Sequence, residues 1–170
     1  MFPIMVSDPD DRNRRYTGEV GAQWPRPLKT GYVLALAAAV LMLVIAFVTM
    51  ANGLPDRLPD AWMIEGADQE LFDRFASNLR IFIWSNIVVA LGLAAATAYL
   101  PRGSKTARRF AALFVACGVF VNAAGFFVGV AGWASLVVVG LLVFALFFMF
   151  RPAANAYVDK RSGDVWEGVK

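Results

Sequence analysis

The 170-residue chain is 59% hydrophobic and only 17% charged, and its mean hydropathy of +0.58 lies far from the balance of a soluble globular domain. It has no histidine and one cysteine, Cys117, which excludes bis-histidine haem ligation, histidine-based metal sites, Ser-His or Cys-His catalytic pairs and any intrachain disulfide. A net charge of +3 without a basic and aromatic stripe makes nucleic acid an unexpected partner.

Residues 1–29 carry Arg12, Arg14, Arg15, Arg26 and Lys29 against Asp8, Asp10, Asp11 and Glu19, and Pro3, Pro25 and Pro27 predict an irregular tail. No charge appears from Gly31 to Met50, and a helix of about twenty residues spans about 30 Å, the thickness of the hydrocarbon core. The first transmembrane helix is therefore expected over 31–50. Its apolar core exceeds the ~7–15 residues of a signal-peptide h-region, which favours a retained anchor over a cleaved leader.

Residues 51–80 form an acidic segment with Asp56, Asp60, Glu65, Asp68, Glu70 and Asp73. Asp68 is the expected N-cap of a helix on which Leu71, Phe72, Phe75 and Leu79 recur at helical spacing. Such a helix runs on into the second span, 81–100, and either projects beyond the membrane or lies along its surface. Its apolar stripe is a docking face for a partner, or else packs on the protein's own loop and the lipid interface.

Pro101 ends that helix, and the basic loop 101–109 follows with Arg102, Lys105, Arg108 and Arg109 and no acid. These four residues are topology determinants and candidate contacts for anionic lipid headgroups. Residues 110–150 are 41 positions without a charged side chain, about twice the length one crossing requires. The chain must fold back, with the reversal expected at Gly129–Gly132. This gives a third span near 109–129, a fourth near 133–151, and a polar tail over 152–170 with a little amphipathic character. The predicted fold is all-α, with 30–151 forming four transmembrane helices in an antiparallel bundle.

Thirteen of the 16 basic residues fall on the N-terminal tail, the second loop and the C-terminal tail, and three on the acidic loop. The positive-inside rule then predicts both termini in the cytoplasm, and the expected location is the plasma membrane. Trp62, Trp84 and Trp133 fall near the outer boundary, and Trp24, Tyr32, Tyr99 and Tyr157 near the inner one.

No Asp, Glu, Lys or Arg occurs in the interior of any predicted span, whereas transporters and channels usually keep such groups for use. The most polar intramembrane residues are Asn86 and Asn122, expected at matching depth some 8–11 Å below the outer surface. They are a ligand-binding amide pair for a headgroup, quinone or carbonyl, or an interhelical hydrogen bond that sets bundle register. Gly125 and Gly129 form a GxxxG, Ala112 with Ala116 and Ala90 with Ala94 form small-xxx-small pairs, and Gly118 adds to the third helix. These residues suggest that the second and third helices are central and the bulky fourth faces lipid or another subunit. Cys117 reads as a small buried hydrophobe.

No nucleotide-binding, nucleophile-elbow or zinc-protease motif is present, and no metal or cofactor is expected. The expected function is that of a non-catalytic accessory subunit among other integral membrane subunits. Two alternatives stay open: a small transporter or channel acting as an oligomer, and a membrane enzyme using lipid or quinone. Four short spans, inward termini and a final helix running into RPAANAYVDK resemble the small accessory membrane proteins of actinobacterial respiratory supercomplexes. That resemblance covers the chain as architecture alone. It implies a neighbour of cytochrome bcc or aa3 oxidase subunits that binds no haem itself, with the acids from Asp56 to Asp73 influencing the approach of a basic electron carrier.

Overall fold

The computed structural model describes residues 23–59, 62 and 69–167, with side chains described in the last helix as far as Ser162. These residues form five helices: α1 (Arg26–Asn52), α2 (Gln69–Ala98), α3 (Lys105–Phe127), α4 (Ala134–Met149) and α5 (Pro152–Glu167), with a single 3-10 turn at Leu100–Arg102 between α2 and α3. The expected cap Asp68 lies outside the described residues, as do Asp60, Glu65, Arg12, Arg14 and Arg15. From Gln69 onward α2 is continuous, so the acidic segment and the second span share one helix.

Local chemistry sets the boundaries. Pro25 and Pro27 open α1, where a missing backbone N–H has no helical partner to lose. The turn after α2 closes at Gly103, whose φ of 70° is a left-handed conformation suited to glycine. Ser104 then caps α3, its hydroxyl accepting a bond from the Ala107 N–H at 3.2 Å. That cap draws the basic turn from Lys105 into the helix, four residues before the expected start at 109. At the other end of α3, Gly129 adopts φ 75°, and the Val130 and Ala131 N–H groups both donate to the Gly125 carbonyl. Gly129 therefore belongs to a helix stop and not to a packing stripe.

Three helices are long and apolar enough to cross a membrane, and α4 makes a fourth when taken together with α5, from which it bends by 60°. With 16 residues, α4 is shorter than the expected 133–151, reaching about 24 Å. The break falls at Phe150 and Arg151 because Pro152 disfavours helical geometry in the residue before it. Beyond it the expected polar tail is instead a helix. Ala154, Tyr157 and Val158 are buried on one side of α5 and pack with Leu28 of α1.

The four long helices close a ring in which the extensive contacts run α1 to α2, α2 to α3, α3 to α4 and α4 back to α1. No pair of helices is central, which corrects the expectation for α2 and α3. The fourth helix turns Val138, Leu142, Ala145 and Met149 inward and keeps Phe144, Phe147 and Phe150 outside. It packs closely against α1 because α1 offers Gly31, Ala35, Ala38 and Ala39, small residues that let two backbones approach. At the centre, Gly118 leaves room for Leu142, Val89 and Met42.

Candidate functional site

The polar centre of the bundle is the amide pair. Asn86 on α2 and Asn122 on α3 are completely buried. The Asn122 Nδ2 donates to Asn86 Oδ1 at 3.1 Å and to the Gly118 carbonyl at 3.0 Å, while Asn86 Nδ2 donates to the Phe82 carbonyl at 3.0 Å. Each amide is thus tied to its own helix and the two are tied to each other. In an apolar interior the alternative is an unsatisfied amide, so the pair resists sliding or rotation of α2 against α3. Among the described residues, the buried atoms Asn122 Oδ1, Thr97 Oγ1 and Ser135 Oγ have no hydrogen-bond partner.

The small residues divide differently from their spacing. Ala90 is fully buried and Ala94 partly so, on the face of α2 that meets the core. On α3 the buried line is Ala107, Ala111, Val115, Gly118, Asn122 and Gly125, one position away from the expected Ala112 and Ala116. Ala112 is half-buried and Ala116 is exposed on the outer surface, beside Trp84 and Phe120. Gly125 lies against Phe82 of α2, where a Cβ would come within 2.6 Å of the ring. Cys117 is also exposed, in the same groove, correcting the buried reading. In an α3 that is apolar on every side, the i, i+4 motif repeats on more than one face, and only the neighbours decide which face packs.

Of the candidate docking residues, Phe75 and Leu79 are buried by this chain's own side chains. They form a cluster with Ala46 and Ile83, flanked by Leu58, Trp62, Ile87 and Val130. Trp62 meets the Phe75 ring edge-on at 5.4 Å and donates from Nε1 to the Val128 carbonyl at 2.7 Å. The loop after α1 is thereby fastened across α2 to the end of α3, and a partner could reach only Leu71 and Phe72, which stay half-exposed. The apolar stripe has no room for a docking face at Phe75 or Leu79.

The basic loop is largely occupied as well. Lys105 pairs with Asp159 at 3.1 Å, and Arg108 donates to Asn155 Oδ1 at 2.6 Å. Tyr157 donates its hydroxyl to the Pro101 carbonyl at 3.0 Å, and Ser162 donates to the Gly103 carbonyl at 3.1 Å. Arg102 stacks over Tyr99 at 4.9 Å. Arg109 is exposed. The C-terminal helix thus clamps the loop between α2 and α3, and Lys105 and Arg108 both take part in that clamp. This clamp was missed in the sequence, although Pro152 followed by Ala154, Tyr157 and Val158 at helical spacing carried the signal.

Among the described residues, no three His, Cys, Asp or Glu side chains gather as a metal site. The geometry defines a small polytopic helical membrane bundle with a hydrogen-bonded amide centre, a fastened acidic end and a clamped basic end. The chain matches no protein-family model, no curated protein and no solved structure.

Proposed function

We propose that the chain is a non-catalytic accessory subunit of a larger integral membrane complex. The observation that carries this reading is the character of the packed interior: among the described residues, the buried polar ones are Asn86, Thr97, Asn122 and Ser135, all uncharged. A proton or ion path through a bundle ordinarily relies on ionisable side chains facing the interior. Here the centre is filled by alanine, glycine and aliphatic side chains from all four long helices. Large apolar residues face outward on α2, α3 and α4, among them Leu91, Phe120, Phe127, Trp133 and Phe144, as suits contact with lipid or neighbouring subunits.

In the same reading the complex is a respiratory supercomplex in the plasma membrane, with both termini cytoplasmic as the thirteen-to-three distribution of basic residues favours. The chain stands beside haem-carrying subunits and binds no haem itself. Gentle solubilisation through an affinity tag, followed by identification of co-purifying chains, tests the proposal. Haem absorbance and oxidase subunits in the purified material are expected. A chain that runs alone at near-stoichiometric yield overturns it, and proteoliposome flux dependent on Asn86 or Asn122 would put a transporter in its place.

A further inference from the structure

On the outside of the bundle, an apolar groove between α3 and α4 ends at the Arg151 guanidinium, and Arg108 stacks on Phe150 of its wall. It is lined by Ala112 of α3 and by Val143, Leu146, Phe147, Phe150 and Arg151 of α4 and its exit. Val143, Phe147 and Phe150 are exposed, so the groove opens sideways, toward the space that lipid would fill. From Arg151 back to Val143 it follows α4 for about 12 Å at 1.5 Å per residue.

Of the arginines at its polar end, Arg108 is one of the headgroup contacts expected from the basic loop, and Arg151 is not. The Arg151 guanidinium lies 4.5 Å from the Phe147 ring centre and 5.9 Å from that of Phe148. Arg108 lies 5.0 Å over the ring of Phe150. Cation–π contacts of this kind orient a guanidinium without neutralising it. Among the described residues no carboxylate forms an ion pair with Arg151. Asp159, the acid nearest in electrostatic effect to Arg108, is bonded to Lys105. Arg151 therefore borders the groove mouth, oriented by aromatic rings, and Arg108 sits beside it on the Phe150 wall, held by that ring and by Asn155 Oδ1.

We propose that this groove seats one anionic phospholipid, with an acyl chain along α3 and α4 and its phosphate on Arg151 and Arg108. The walls offer an acyl chain apolar contact, and the planar guanidinium forks match phosphate oxygens. A lipid with net negative charge complements the unneutralised pair, whereas a zwitterionic headgroup brings a cation of its own to the same place. Both arginines lie at the end of the bundle that carries the basic loop, the level at which headgroups meet helix ends. The proposal rests on the chain lying in a bilayer and not on its joining a complex, so a chain that purifies alone leaves it standing.

Native mass spectrometry of the full chain in mild detergent, titrated in parallel with phosphatidylglycerol and phosphatidylcholine, tests it. Wild type is expected to bind one phosphatidylglycerol at least fivefold more tightly than phosphatidylcholine. Arg151→Gln should weaken phosphatidylglycerol about fivefold, the equivalent of the ~1 kcal/mol a basic residue contributes near a membrane surface. Arg102→Gln removes the same charge from the stack on Tyr99, at the turn between α2 and α3, and should leave the affinity unchanged. Ala112→Phe, which fills the groove, should abolish the one-to-one adduct. Equal retention of the two lipids by wild type, an unaltered Arg151→Gln, or equal losses in Arg151→Gln and Arg102→Gln would overturn the site in favour of diffuse surface charge.

Discussion

Replacing Gly31 with alanine tests the closest helix contact in the bundle. A Cβ at Gly31 would lie 2.9 Å from Met149 Cγ and 3.1 Å from both the Ala145 carbonyl oxygen and the Met149 backbone nitrogen. Two of these three neighbours are backbone atoms of α4, so no rotamer change removes the clash and the helices must part by a few tenths of an ångström. A gap on that scale forfeits up to about a quarter of each affected dispersion contact. The loss is shared by the core that α1 and α4 help to form, which includes Ala35, Ala38, Met42, Leu142 and Ala145, all completely buried. Overpacking of this kind costs about 1–3 kcal/mol, offset by at most ~1 kcal/mol from alanine's higher helix propensity. The control is Gly140→Ala on α4, where a Cβ meets nothing within 4 Å. Reversible unfolding in mixed micelles of rising SDS fraction, followed by circular dichroism, should place Gly31→Ala about 1–2 kcal/mol below wild type and Gly140→Ala level with it or above. A Gly31→Ala protein as stable as Gly140→Ala would refute the close approach of α1 and α4.

The amide pair predicts a measurable coupling: a double-mutant cycle of Asn86→Ala and Asn122→Ala in the same unfolding assay should return an interaction energy near 0.6 kcal/mol, up to ~1.7, and zero coupling would mean the side chains do not meet. Tyr157→Phe keeps the ring but removes the hydroxyl bond to the Pro101 carbonyl, so α5 should loosen by about 0.5–1.5 kcal/mol. Faster proteolysis within 152–167, with the rest of the bundle resistant, is the expected readout, and an unchanged cleavage rate would count against the clamp. Cys117 is exposed at mid-helix, so Cys117→Leu should unfold within about 0.5 kcal/mol of wild type in the same assay. A loss of about 1–3 kcal/mol, the cost of overpacking, would return it to the interior.

The acidic end shows how much one side chain can decide. Helical spacing puts Leu71, Phe72, Phe75 and Leu79 on one apolar stripe, of which the structure buries Phe75 and Leu79, but spacing does not say what covers a stripe. Trp62, from a loop seven residues before α2, covers it and anchors itself on the Val128 carbonyl. The partner is 66 residues away in sequence, and no local pattern encodes such a contact. The basic end is similar: the charges of Arg102, Lys105, Arg108 and Arg109 were plain, yet their use depends on a helix that returns to meet them. Asn86 and Asn122 were the more legible case, because two isolated amides at matching depth in an apolar bundle have few partners other than each other.

By itself the sequence determined what water and hydrocarbon dictate through composition. Charges cannot be placed cheaply in the membrane interior, so their positions marked the loops, the number of apolar spans, the depth of the amide pair and an all-α fold. It left undecided which face of each span turns inward, because lipid is as apolar as a protein core and gives no amphipathic signal to separate Ala111 from Ala112 or a buried Cys117 from an exposed one. The tertiary structure decided those faces through close packing: Gly31 against α4, Gly118 among three side chains, and α5 drawn back over the basic loop. Shape complementarity between helices distant in sequence is the physical reason, and it is also what sets Arg108 over Phe150, on the wall of the groove that ends at Arg151.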